Sequence, residues 1–116
     1  MKIPVYIGRD NVETLALSME DDKENAVDIG DFLVSVNRIV LATETVVVDS
    51  QATPAALVLD AAARTLACTL GQSFSDPGNY PAQLIFYSPG YPNGFVWIDR
   101  HGAADQRLTL VVADGV

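Results

Sequence analysis

The chain is poor in the residues that mark most functional classes. It has a single cysteine, Cys68, so no internal disulfide can form and redox chemistry says nothing of compartment. Cys68 stands among Leu66, Ala67 and Leu70 and has no charged or histidine neighbour in sequence, so it reads as a small buried hydrophobe and not as a nucleophile. Cations are scarce: 7 Lys plus Arg stand against 15 Asp plus Glu, for a formal charge of −8. That balance argues against nucleic acid, where affinity depends on cations neutralising phosphates. It argues equally against an anionic membrane surface, and fits solubility or a basic partner. The opening MKIPVYIGRD lacks the apolar core of a signal peptide, and no apolar run reaches membrane-span length, so a soluble chain made in the cytosol is expected.

Histidine is nearly absent too. His101 is the only one, beside Asp99 in a turn-like stretch. No serine or cysteine is placed by motif to complete a triad, and no further His or Cys could complete a metal site. The acidic stretch 20–31 offers six carboxylates and Asn25, but their spacing departs from the EF-hand loop. It reads as a solvated loop. No catalytic, cofactor-binding or metal-ligating residues are assigned.

What the sequence does have is strand. With 116 residues, 49% of them hydrophobic, residues 1–116 are expected to fold as one domain with its own core. Residues 3–7 form a short β-rich segment whose Pro4 points to an edge or a strand start. Residues 13–19 alternate, with Leu15, Leu17 and Met19 on one face. Residues 32–41 read as a second strong strand, with Phe32, Val34 and Val36 on one face. Residues 43–48 hold three consecutive valines and follow closely enough to make a hairpin or a kink between sheets.

Residues 54–70 carry mixed signals. Thr53-Pro54, the alanines and Gly71 favour a short helix. The alternation of Leu66, Cys68 and Leu70 with Thr65, Ala67 and Thr69 favours a strand–turn–strand hairpin, and the hairpin fits an otherwise β chain better. Residues 79–87 make the clearest strand, bracketed by Ser75-Asp76-Pro77-Gly78, Ser88-Pro89-Gly90 and Pro92-Asn93-Gly94 turns. Short strands at 95–98 and 107–113 close the chain. About eight strands at roughly 10-residue spacing predict an all-β, antiparallel two-sheet sandwich.

Asp76, Gly78 and Tyr80 have the form D-x-G-x-Y. In immunoglobulin-like sandwiches a tyrosine near the start of the sixth strand folds its hydroxyl back onto upstream backbone, and Ala82 stands where a disulfide-bonded domain carries its second cysteine. Trp97 follows this strand, whereas antibody domains place their core tryptophan on the third. The expectation is therefore an immunoglobulin-like sandwich of 7–9 strands that is not antibody-type, with Asp76, Gly78 and Tyr80 as a structural corner.

The best binding candidate is the aromatic stretch after that strand, with Tyr87, Tyr91, Phe95 and Trp97 as candidate interface residues. Tyr and Trp give large contact area at low entropy cost. The same rings could stack on sugars, or Phe95 and Trp97 could simply cap the core.

The order of elements carries one resemblance. A short opening strand, the Gly8-Arg9-Asp10-Asn11 turn, an alternating strand from Glu13 to Met19 and an acidic loop ending in Val27-Asp28-Ile29 come first. A Pro77-Gly78-x-Tyr80 corner and a final strand lie far downstream. This resembles the small immunoglobulin-like domain at the N-terminus of tailed-phage baseplate upper proteins and related tail proteins. The resemblance implies a structural virion protein, not an enzyme. It would bind no cofactor and work in multiple copies through contacts with itself and with other tail or baseplate proteins. A carbohydrate-binding or adhesion module is the alternative.

Overall fold

The computed structural model describes residues 1–17, 29–98 and 108–115. Among these residues nine strands form two sheets. They are β1 (Lys2–Ile7), β2 (Glu13–Ala16), β3 (Arg38–Ala42), β4 (Val47–Asp49), β5 (Leu57–Asp60), β6 (Thr65–Cys68), β7 (Gly78–Ser88), β8 (Tyr91–Ile98) and β9 (Leu108–Asp114). The larger sheet runs β1-β9-β7-β3-β4, with β8 joined to β7; the smaller is β2-β6-β5. Every pairing is antiparallel except β1 with β9, which is parallel. The expected sandwich is thus present, with one mixed sheet.

The strand order is that of an immunoglobulin-like fold, in which strands B, E and D share one sheet and C, F and G the other. Here β2, β6 and β5 occupy the first set and β3, β7 and β9 the second. The inward residues follow the period of two: Leu57 and Leu66 from the small sheet, Leu41, Ala82, Leu84 and Leu110 from the large one are all buried. In line with Pro4, β1 is an edge strand, hydrogen-bonded on one side only among the described residues.

Four expectations change. Residues 32–41 are not one strand. A six-residue helix α1 (Gly30–Ser35) precedes β3. Leu33 turns inward, 1% exposed, and Phe32 and Val36 are half-buried against the core, but Val34, which alternation places on the face of those two, is 76% exposed. The helix has no side-chain N-cap, and a single isolated turn or two is marginal in water, so packing of Leu33 and Phe32 on the core holds it. The second change is at 13–19: pairing stops at Ala16, where Leu17 stays buried and its N–H donates to the Arg64 carbonyl at 2.8 Å. Met19 lies outside the described residues. Third, residues 43–46 are a turn and only Val47–Asp49 is strand; Thr43 Oγ1 accepts from the Val46 N–H at 2.8 Å and closes it, making the β3–β4 hairpin.

Fourth, Pro92-Asn93-Gly94 is not a turn. Only Pro89-Gly90 turns, and β8 begins at Tyr91. Gly94 sits within the strand at φ +91, beside two register shifts; a Cβ there would meet Ile85 Cγ2 at 2.7 Å and the Tyr87 ring at 3.0 Å.

The hairpin reading of 54–70 holds: β5 and β6 pair from Leu57↔Cys68 to Asp60↔Thr65. The helical signals amount to one 3-10 turn, Pro54–Ala56. Gly71 caps no helix; a Cβ there would run into the Arg9 carbonyl oxygen, and the Gly71 carbonyl accepts the Gly8 N–H at 2.9 Å.

The long strand β7 contains Pro81, although proline cannot donate to a ladder. The register explains it. The Ser50 N–H donates to the Ile39 carbonyl at 2.9 Å, so odd residues of β3 turn their backbone groups to β4 and even ones to β7. The pairs Val40↔Ile85 and Ala42↔Gln83 then direct odd residues of β7 towards β3. Beyond Gln83, β3 has already turned away at Thr43. The missing N–H of Pro81 faces a notch where, among the described residues, no strand lies.

Candidate functional site

On one edge β7 is bordered by β3; on the other its partner changes midway. Residues Gly78–Ala82 pair with β9, and Leu84–Ser88 pair with β8. The β7–β8 hairpin is therefore an arm built onto the sheet within the connection between the sixth and seventh immunoglobulin strands. Loops at that end of variable domains are binding loops.

The inner side of the arm is a ring cluster. Phe95 pairs with Phe86, which is fully buried, and Trp97 meets Phe86 edge-on with centroids 5.3 Å apart. Phe32 of α1 joins them: its ring lies 5.5 Å from Phe95, 5.6 Å from Tyr91 and 6.1 Å from Trp97, nearly parallel to the last. Tyr91 touches Phe95 edge-on at 5.4 Å but remains 47% exposed. Offset and edge-on contacts of this kind add modestly to the apolar area they bury.

Three of the four candidate interface residues, Tyr91, Phe95 and Trp97, are thus brought together. Tyr87 is not among them. Its parity in β7 sends it to the outer face, beneath the Arg38 guanidinium at 4.8 Å. Arg38 in turn holds Asp49, with Nη2 and Nε each donating to Oδ2, Nε at 3.1 Å. Hydrogen bonds from Arg38, then from the Gln51 N–H, hold the Asp49 carboxyl below its ordinary range; the same Asp49 bond raises Arg38.

Phe32 is the member that sequence reading missed. Nothing local marks it: α1 has no capping side chain, and Phe32, Val34 and Val36 mimic a strand face.

The Tyr80 hydroxyl donates to the Asp76 carbonyl at 2.8 Å, and the ring packs on Phe74 at 5.1 Å. A Cβ at Gly78 would stand 3.5 Å from the Tyr80 ring. Asp76 contributes its backbone carbonyl to this bond, so the carboxylate is not what the corner requires.

Elsewhere, the notch beside Pro81 encloses about 240 Å³, lined by Thr43, Glu44, Thr45, Asn79, Tyr80 and Pro81. Cys68 is buried, and desolvation, with Glu13 adding to it, pushes its thiol up to about 12. Among the described residues no three His, Cys, Asp or Glu side chains converge as a metal site would need, and no helix is long and apolar enough to cross a membrane. Asp99, His101 and most of the acidic stretch 20–31 lie outside the described residues. Comparison with protein-family models and with curated proteins gave no match.

Proposed function

We propose that the protein is a non-catalytic assembly module, a structural component of a phage tail or baseplate that acts by protein contact through the β7–β8 arm. The observation that carries the contact mode is the exposed ring of Tyr91 at the hairpin end, braced from within by Phe32 and Phe95. A ring already fixed by its neighbours loses little further freedom when a partner covers it, and such aromatic anchors dominate interface energetics. The virion assignment rests on the resemblance in element order and on the corner built by Tyr80. The sugar-binding alternative is less well supported, because Phe95 and Trp97 spend their faces on one another and on Phe32 and Phe86, whereas stacking on a sugar needs an open ring face.

Two measurements test this. The chain is expected in purified tailed particles at a fixed ratio to other tail proteins, and Tyr91→Ala should weaken its capture by those proteins while leaving the fold intact. Retardation by a polysaccharide in affinity electrophoresis, abolished by a Trp97 substitution, would overturn the reading in favour of the carbohydrate module.

A further inference from the structure

Strand β8 holds one feature that neither the ring cluster nor the proposed contact uses. On β7 only Tyr87 separates Phe86 from Ser88, whereas on β8 Pro92, Asn93 and Gly94 separate their partners Phe95 and Tyr91. Three residues therefore oppose one, and the register gives Asn93 and Gly94 no paired residue on β7. Asn93 is exposed. Position 94 requires glycine: its φ is +91, and a Cβ would meet Ile85 Cγ2 at 2.7 Å and the Tyr87 ring at 3.0 Å. The fold thus places a residue with no side chain directly after an exposed asparagine that lies outside the ladder.

That juxtaposition has a chemistry of its own. Asparagine is among the thermally labile residues. Its amide carbon lies within reach of the next backbone nitrogen, and two things protect it in a folded chain. One is a following side chain that crowds the approach; the other is a ladder that holds the asparagine extended. The other described asparagines keep at least one protection. Asn37 precedes Arg38, which pairs with Tyr87; Asn79 precedes Tyr80, and both pair with β9; Asn11 precedes the β-branched Val12. Asn93 has neither.

We infer that Asn93 is a site of spontaneous deamidation and isomerisation in the folded protein. The Gly94 backbone nitrogen gives up its proton to hydroxide and attacks Asn93 Cγ. The Cγ–Nδ2 bond breaks, and Nδ2 takes a proton from water and leaves as ammonia. A succinimide ring remains. Water then adds to either ring carbonyl, the bond from that carbon to the Gly94 nitrogen breaks, and the nitrogen regains its proton. Opening at Cγ gives aspartate. Opening at the main-chain carbon reroutes the backbone through the side chain as isoaspartate. Water is the only co-reactant, and both products add a negative charge to the arm. The isoaspartyl form also lengthens the backbone between Tyr91 and Phe95, whose rings touch edge-on at 5.4 Å, and so displaces Tyr91 from the cluster whatever the arm binds.

Incubation of the folded full chain at mildly alkaline pH tests this, with peptide mapping by fragmentation that distinguishes aspartate from isoaspartate. Asn93 should convert at no less than about a tenth of its rate in the urea-unfolded chain, because a bulge opens locally at little cost. The rate should rise in proportion to hydroxide. Asn37 and Asn79, held in or beside paired strands, should fall below about a hundredth of their unfolded rates. Asn93→Gln should abolish the mass increase of the folded protein. Suppression of more than about tenfold at Asn93 overturns the proposal, because it would place the reaction in the unfolded chain. So does a mass increase that persists in Asn93→Gln, or conversion of Asn37 and Asn79 as fast as that of Asn93.

Discussion

Residues 78–82 and 84–88 belong to one strand, alternate in the same way and contribute to one sheet, but they are held differently. The first half lies between β9 and a notch, and is pinned by a single directed bond from Tyr80 to the Asp76 carbonyl. The second half lies between β3 and β8, where its inward Phe86 enters a cluster of rings and its outward Tyr87 lies under an ion pair. One half is specified by a hydrogen bond from a side chain to backbone four residues upstream. The other is specified by apolar area and shape, which several ring arrangements could supply. A strand can thus be locally similar throughout and owe its place to different forces at its two ends.

Substitutions at the two ends should separate these forces. The largest effect is expected in the second half. Phe86→Ala removes a fully buried ring that meets both Phe32 and Trp97, and should cost about 3–5 kcal/mol in denaturant unfolding. Loss of α1 should accompany it, since Phe32 packs on that ring. A cost under about 1 kcal/mol would show that the cluster collapses freely and that shape matters little there. In the first half, Tyr80→Phe keeps the ring on Phe74 and deletes only the hydroxyl. It should cost about 1 kcal/mol, with the midpoint shifted and the denaturant slope unchanged. A cost matching Phe86→Ala would erase the distinction between the halves.

The smallest effect concerns the ion pair over Tyr87. The folded pKa of Asp49 is depressed, chiefly by Arg38, so its contribution is fully present above the ordinary carboxylate pKa of about 4. It is lost as pH falls below that through the depressed folded value. Asp49→Asn should therefore lower stability slightly and evenly at neutral and alkaline pH and flatten the acid side of the profile, with the two proteins converging at low pH. Both side chains are partly solvent-exposed, which keeps the effect small. An unchanged acid limb would mean that the pair contributes nothing measurable.

Much of this was legible beforehand. Alternation located β6, β7 and β9, the D-x-G-x-Y spacing located the corner, and Pro4 marked an edge. Each depends on contacts within a few residues or on the simple period of a half-buried strand. The arm was only half legible. Its residues were evident from aromatic content, but Pro92-Asn93-Gly94 looked like a turn because turn chemistry and bulge chemistry draw on the same residues. The division of Tyr87 from Tyr91, Phe95 and Trp97 follows from strand parity and the bulges, which appear only when β8 is paired with β7.

The sequence alone determined that this chain is a sandwich of short strands, that Tyr80 ties a corner and that the segment after it is rich in rings. These are properties of spacing and of side chains acting near their own backbone. Only the tertiary structure decided that residues 30–35 are helical and that Phe32 lies among the rings of β8. It alone decided that Pro81 falls where β3 has left, and that Arg38 and Asp49 cancel above Tyr87. The physical reason is common to all four. Each depends on a partner distant in the chain, and a six-residue helix without caps, a proline in a central strand or a charge on a sheet face is stable only when that partner, or its absence, is in place.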